Sequence, residues 1–103
     1  MSRRLRRRYG RSRWSDFDLR TEMREGAVIH DARGGGYDVS FVGKHIGHFK
    51  SRGAALRAIL TTANREGYFP NIFAVNDHGN VTLLSARINE RGKVASRHVK
   101  SWV

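Results

Sequence analysis

The chain has 103 residues and a hydrophobic share of 39%, which limits it to one small domain with a modest core. It contains no cysteine, so disulfides, thiolate chemistry and cysteine-ligated zinc are excluded. No apolar run approaches the roughly 18 residues of a membrane span, and no apolar segment follows the first arginines as in a secretory signal. We therefore expect no membrane partner, and a cytoplasmic (host-cell) or virion location.

The formal net charge is +11, and the excess is concentrated at the two ends of the chain. Residues 1–15 contain seven arginines and no acid, whereas residues 16–86 contain eight basic and eight acidic side chains. Residues 87–103 contain five basic side chains and one acid. Folding does not require a neutral centre between two basic ends, so this arrangement indicates a polyanionic partner.

The first 13 residues offer too little apolar surface to form a core, and their arginines repel one another. They are predicted to be a disordered Arg-rich arm, followed by a single small α+β domain over residues 14–103 with a basic C-terminal strand. Near the junction, Asp16 is placed to cap a short helix over residues 17–24 that Gly26 ends. The apolar residues 27–30 then predict a short edge strand.

The clearest pattern lies in the middle of the chain. An apolar-polar alternation over residues 37–41 has the period of a half-buried strand, and residues 45–50 return as its partner after a glycine turn. Ser51 then predicts the N-cap of a helix over residues 52–66, which Gly67 ends. One apolar stripe runs along that helix, so we expect it to cover a sheet.

Further strands are predicted over residues 71–75, 81–85 and 94–103, separated by turns rich in glycine, asparagine and aspartate. The elements follow the order ββαββ with an additional C-terminal strand. A single helix with one apolar stripe is most simply accommodated on one antiparallel sheet. The predicted fold is therefore α+β, with an antiparallel sheet of four to five strands packed by one main helix.

Three segments resemble known families. Residues 37–59, YDVSFVGKHIGHFKSRGAALRAI, resemble the hairpin-then-helix unit of plant ethylene-response-type DNA-binding domains and of integrase arm-binding domains. Residues 65–84, REGYFPNIFAVNDHGNVTLL, resemble small bacterial ββαββ domains of unknown function. Both resemblances imply the same architecture. Residues 1–13, MSRRLRRRYGRSR, resemble the basic arms of small-virus structural proteins and of phage genome-associated proteins, which implies neutralisation of nucleic acid.

The basic ends predict contacts with the phosphate backbone of a nucleic acid. Arginine donates two parallel hydrogen bonds to one phosphate and stacks on bases, as aromatic side chains also do. The predicted nucleic-acid-binding residues are Arg3, Arg4, Arg6, Arg7, Arg8, Tyr9, Arg11, Arg13, Arg87, Arg91, Lys93, Arg97, Lys100 and Trp102. The predicted function is sequence-tolerant binding of DNA or RNA, as in a phage or viral genome-associated protein. The sequence leaves open whether the arm is only a solvated tail and whether the C-terminal charges only face water.

A protein-interaction module is the alternative function. It would be a minor virion or scaffold component that binds a capsid or other protein partner, or a ribosome-associated accessory protein. Such a module would dock on an acidic protein through its sheet or a sheet edge. The apolar residues 68–75, which lead into a turn, favour this alternative.

No residue pattern predicts an enzyme, a cofactor, a small-molecule substrate or a metal site. His45 and His48 lie three positions apart on a predicted strand, so we expect them on opposite faces. The same alternation predicts that Arg97 lies on one face of the last strand, with Lys100 and Trp102 on the other.

Overall fold

The computed structural model describes residues 18–102, which form two helices and six strands. In chain order the elements are α1 (Leu19–Glu25), β1 (Ala27–Asp31), β2 (Tyr37–Phe41), β3 (Lys44–Phe49), α2 (Arg52–Glu66), β4 (Ile72–Val75), β5 (Val81–Ile88) and β6 (Val94–Trp102). The predicted α+β class is confirmed, and the sheet has six strands where four to five were predicted. The predicted arm and the predicted cap Asp16 lie outside the described residues.

The six strands form one mixed sheet in the order β3-β2-β1-β4-β5-β6. Neighbouring strands are antiparallel except for β1 and β4, which run parallel with Ala27 opposite Ile72. The parallel pair arises because α2 carries the chain from the outer strand β3 back to the middle of the sheet, a crossover that a tight turn cannot make. The prediction that residues 27–30 form an edge strand is wrong. β1 is central, and its first three side chains are buried on both faces of the sheet.

The main helix α2 forms where the sequence predicts it, over residues 52–66. The Ser51 hydroxyl oxygen accepts a hydrogen bond from the Ala54 amide at 3.1 Å, and Gly67 ends the helix with a left-handed φ of 72°. The apolar stripe of α2 is buried, with Ile59 fully enclosed. The two capping residues and the apolar stripe therefore define the same helix, which packs on the sheet.

The first helix, α1, begins two residues later than predicted because Asp18 provides its N-cap. The Asp18 carboxylate accepts hydrogen bonds from the Thr21 amide at 3.4 Å and from the Thr21 hydroxyl at 2.8 Å. Gly26 ends the helix as predicted. A Cβ atom at Gly26 would lie 2.6 Å from the carbonyl oxygen of Asn71, so only glycine lets the end of α1 approach the start of β4.

The two helices cover opposite faces of the sheet, which we call the α1 face and the α2 face. On the α2 face, α2 packs against side chains that include Ile29, Val39 and Ile72. On the α1 face, Leu19 and Met23 of α1 pack against a second apolar cluster, formed by Val28, Phe73, Val75, Val81 and Leu83. Because α1 has only seven residues, it leaves much of the outer strands uncovered on the α1 face.

Candidate nucleic-acid interface

The C-terminal hairpin, formed by β5, the turn over residues 89–93 and β6, carries every predicted basic site residue at this end of the chain. Arg87 lies on β5, Arg91 and Lys93 lie in the turn, and Arg97 and Lys100 lie on β6. All are exposed except Lys100, which is half-buried. β5 extends three residues beyond its predicted end, so Arg87 lies within a strand and its side chain is directed to one face of the sheet.

A β-bulge determines which of these side chains share a face. Lys100 pairs with Leu83 of the α1 face, Val99 is an extra residue in β6, and the alternation of β6 is reversed beyond it. Arg97 therefore lies on the α1 face together with Lys100 and Trp102. The prediction that Arg97 lies on the opposite face is wrong, because strict alternation takes no account of the extra residue.

Arg87, Arg97 and Lys100 form a row along the α1 face of the hairpin, which we call the basic strip. The strand register places successive cations two residues apart along the hairpin. At about 3.4 Å per residue, the spacing along the hairpin axis is about 7 Å, and Arg87 on β5 is offset by about 4.8 Å from the two cations on β6. Successive phosphates along one nucleic-acid strand are separated by a similar distance, so the strip is suited to follow a phosphate backbone.

Trp102 lies at the end of the basic strip and is half-buried. Its ring centroid is 6.4 Å from that of Phe73 in the core of the α1 face, with the two planes 50° apart. The Nζ atom of Lys100 lies 5.9 Å from the Trp102 ring centroid, a cation–π distance. Trp102 therefore joins the basic strip to the core.

The turn of the hairpin is fixed by its own side chains and by α2. The Oδ1 atom of Asn89 accepts hydrogen bonds from the amides of Arg91 at 2.9 Å and Lys93 at 3.0 Å. From α2, Arg57 donates a hydrogen bond to the carbonyl oxygen of Gly92 at 2.6 Å. The turn is thereby held against the helix, with the Arg91 and Lys93 side chains exposed.

Two further cations on α1 were not singled out from the sequence. Arg20 and Arg24 are exposed and lie about one helical turn apart. They belong to the charge-balanced middle of the chain, so net charge provided no reason to select them. Only the packing of α1 on the α1 face places them on the same side of the sheet as the basic strip.

The remaining predicted site residues lie outside the described residues; they are Arg3, Arg4, Arg6, Arg7, Arg8, Tyr9, Arg11 and Arg13. Their segment is joined through Asp18 to the N-terminus of α1, which packs on the α1 face. The two basic ends of the chain are therefore attached to the same side of the sheet.

At the opposite end of the sheet, two histidines face the Asp38 carboxylate on the α1 face. The Oδ1 atom of Asp38 lies 2.9 Å from His48 Nδ1 and 3.8 Å from His45 Nε2. The prediction that these histidines occupy opposite faces is wrong, because Ile46 is an extra residue in β3 at a second bulge. The hydrogen bond from His48 holds the pKa of Asp38 below its ordinary value. Among residues 18–102, no group of three or more histidine, cysteine or acidic side chains is placed to hold a metal ion.

No helix in the described part of the chain is long and apolar enough to span a membrane. Comparison of the chain with protein-family models, with curated proteins and with solved structures found no match. The chemistry of the surface itself therefore has to indicate the function.

Proposed function

We propose that this protein binds nucleic acid with little sequence preference, using its arginine-rich N-terminal residues and the basic strip to hold the phosphate backbone. The observation that carries this proposal is that the basic strip and the helix to which the N-terminal residues are joined share the α1 face. The strip lies on the α1 face, and residues 1–17 are attached to the helix that packs on that face. The seven uncompensated arginines of residues 1–15 and the three cations of the basic strip favour a polyanionic partner.

Binding of this kind is driven by the release of counterions condensed on the nucleic acid. The phosphate backbone is the same at every base, so contacts made only to phosphates are sequence-tolerant. Arginine suits these contacts because its planar guanidinium donates two hydrogen bonds to one phosphate. A genome-associated protein of a phage or other small virus is the setting that this chemistry fits, since packaged nucleic acid has to be neutralised independently of its sequence.

The affinity for nucleic acid should fall steeply as the salt concentration rises. With roughly 6–10 phosphates neutralised, the expected loss of affinity is about 10³–10⁵-fold between about 50 and 200 mM salt. Fluorescence anisotropy with a labelled DNA duplex measures this dependence. Binding that does not respond to salt, or no binding at about 50 mM salt, would contradict the proposed function.

A protein-interaction function is the second candidate, and an apolar groove on the α2 face supports it. Two adjoining cavities of about 280 and 380 Å³ lie between α2 and the C-terminal hairpin. Leu60, Phe69, Ile88 and Val99 contribute to their lining, and Phe69 is 58% exposed. Such a groove is a common feature of protein-docking surfaces.

The position of this groove changes the interaction surface that the sequence predicts. Much of the apolar segment over residues 68–75 is buried as β4, so Phe69 is its main exposed apolar side chain. Arg57, Arg91 and Lys93 lie near the end of the groove at the hairpin turn and favour an acidic protein. Gel filtration before and after nuclease treatment distinguishes the two functions, since a protein complex that survives the nuclease favours this one.

A further inference from the structure

The C-terminal hairpin extends beyond the rest of the sheet as a two-stranded ribbon. β4 pairs with β5 only over residues 81–84, so residues 85–88 and 94–97 pair only with each other within the described chain. The turn between them is closed by a hydrogen bond from the Asn89 amide to the Lys93 carbonyl oxygen at 2.8 Å. We call residues 85–97 the ribbon.

One face of the ribbon is packed and the other is open. On the α2 face, Ala86 and Val94 pack against the main core, and Arg57 of α2 holds the turn at Gly92. A two-stranded ribbon is marginally stable by itself, so this packing on one face is what keeps it in place. On the α1 face, the short helix α1 does not cover the ribbon, whose arginines there are exposed.

The open face has two arginines separated by small side chains. Arg97 pairs with Ser85, and Arg87 pairs with Ala95, so the arginines stand on opposite strands at diagonal corners. The small residues at the other two corners leave the backbone accessible between them. The two long arginine side chains therefore extend from the open face, with only the small side chains of Ser85 and Ala95 between them.

These dimensions match the major groove of duplex DNA. The two strands of a ribbon lie about 4.8 Å apart, and the major groove is about 12 Å wide and admits a two-stranded ribbon. Arginine is the side chain that most often contacts a base there, through the O6 and N7 atoms of guanine. On the basis of the proposed nucleic-acid binding, we infer that the partner is B-form duplex DNA and that the open face of the ribbon enters its major groove.

The other basic residues contact the backbone in this arrangement. Arg91 and Lys93 at the tip, and Lys100 beside the ribbon, lie where they meet phosphates on the walls of the groove. Arg87 and Arg97 thereby exchange phosphate contacts for base contacts. Each arginine–guanine contact favours guanine by about 1–3 kcal/mol, so the ribbon adds a preference for guanine at two positions to binding that is otherwise sequence-tolerant. A-form RNA does not accept the ribbon, because its major groove is deep and narrow. A single strand has no groove at all.

The test compares a short DNA duplex with an RNA duplex of the same sequence. The double variant R87Q/R97Q is expected to lose at least about tenfold more affinity for the DNA than the control R33Q/R65Q. The control removes the same charge from exposed sites outside the ribbon. On the RNA duplex, R87Q/R97Q removes only phosphate contacts, so its loss relative to the control should be much smaller than on the DNA duplex. Fluorescence anisotropy measures the affinities, and circular dichroism with thermal melting checks that each full-length variant is folded.

Dimethyl sulfate footprinting provides a direct measurement, because this reagent methylates guanine N7 in the major groove. The parent protein should protect N7 atoms in the DNA duplex, and R87Q/R97Q should not. Unprotected N7 atoms with the parent, or equal losses of affinity on DNA and RNA, would overturn the groove assignment while leaving phosphate binding intact. Failure of the parent to bind either duplex would instead overturn the proposed function.

Discussion

Asp38 illustrates how a single extra residue changes the chemistry of a surface. The bulge at Ile46 brings His45 and His48 to the same carboxylate, whereas strict alternation would separate them. An ionised carboxylate only accepts hydrogen bonds, so His48 donates its Nδ1 proton to Asp38. Both side chains are about half exposed, so water screens their interaction. We therefore expect the pair to make only a small contribution to the free energy of unfolding.

The Asp38–His48 pair makes stability depend on pH in a defined direction. The pKa of Asp38 is lower in the folded protein than its ordinary value, chiefly because His48 donates a hydrogen bond to it. The stabilising contribution is therefore present at neutral pH and disappears as the pH falls through the lowered folded-state pKa. Asp38→Asn should lower the urea midpoint at about pH 6, and its difference from the parent should be smaller at about pH 4, where protonation of Asp38 in the unfolded chain has begun to remove the stabilising contribution.

Asp31→Asn serves as the control for that measurement, since Asp31 is also exposed and lies at the end of the neighbouring strand β1. It should leave the urea midpoint close to that of the parent at both pH values. Identical midpoints for the parent and Asp38→Asn at about pH 6 would mean that the pair contributes nothing to stability.

At the scale of elements, sequence reasoning succeeds where the determinants are local. The Ser51 cap, the apolar stripe and Gly67 lie within one segment, so they predict that α2 starts at Arg52 and ends at about Glu66, as observed. The alternation of residues 37–41 likewise predicts β2. The central position of β1 depends on its pairing with β4 far along the chain, and no pattern within residues 27–30 contains that information.

The two bulges are the other feature that strict alternation misses. Gly47 beside Ile46 is a signal for the first bulge, because an isolated glycine within a strand often marks one, whereas no residue of this kind marks the bulge at Val99. Each bulge reverses the facing of every residue beyond it. For that reason the sequence could indicate that the basic residues cluster near the C-terminus, but not how they are distributed between the two faces of the hairpin. Their role in binding stays a prediction.

The contact between Arg57 and the hairpin turn should control how firmly the ribbon is held. Arg57→Met keeps the apolar stem but removes the hydrogen bond to the Gly92 carbonyl oxygen. We expect a loss of about 0.5–1 kcal/mol in unfolding free energy, since the bond is exposed to water. Hydrogen exchange should accelerate at the amides of residues 91–93 and remain unchanged in the centre of α2. Unchanged exchange in the turn would show that Asn89 alone fixes it.

At the scale of the whole molecule, binding and folding should be separable. Deleting residues 1–13 removes seven arginines and none of the described core. The urea midpoint should therefore stay the same while most of the affinity for DNA is lost. The slope of log affinity against log salt should become shallower by up to about 6, the value for seven phosphate contacts. Full affinity in the truncated protein would instead identify the arm as a solvated tail.

Net charge along the chain could predict that both ends bind the same partner, but not that they are attached to one side of the fold. That arrangement depends on α1, whose Leu19 and Met23 pack against the same apolar cluster of the α1 face as Trp102. The cluster thereby combines residues from opposite ends of the described chain. Its formation follows from burial of apolar surface in three dimensions, which charge and periodicity along the sequence do not describe.

The outer position of β6 has a consequence for solubility. Within residues 18–102, β6 is the last strand of the sheet, so no described strand lies along the outer edge of its nine residues. Open edges of this length promote pairing between molecules, and cationic side chains and bulges are two devices that prevent it. Arg97, Lys100 and the extra residue Val99 provide both. The cationic side chains that we propose to bind DNA therefore also oppose pairing between copies of the protein. The variant R87Q/R97Q keeps Lys100 and the bulge, so this protection is partly retained while its binding is measured.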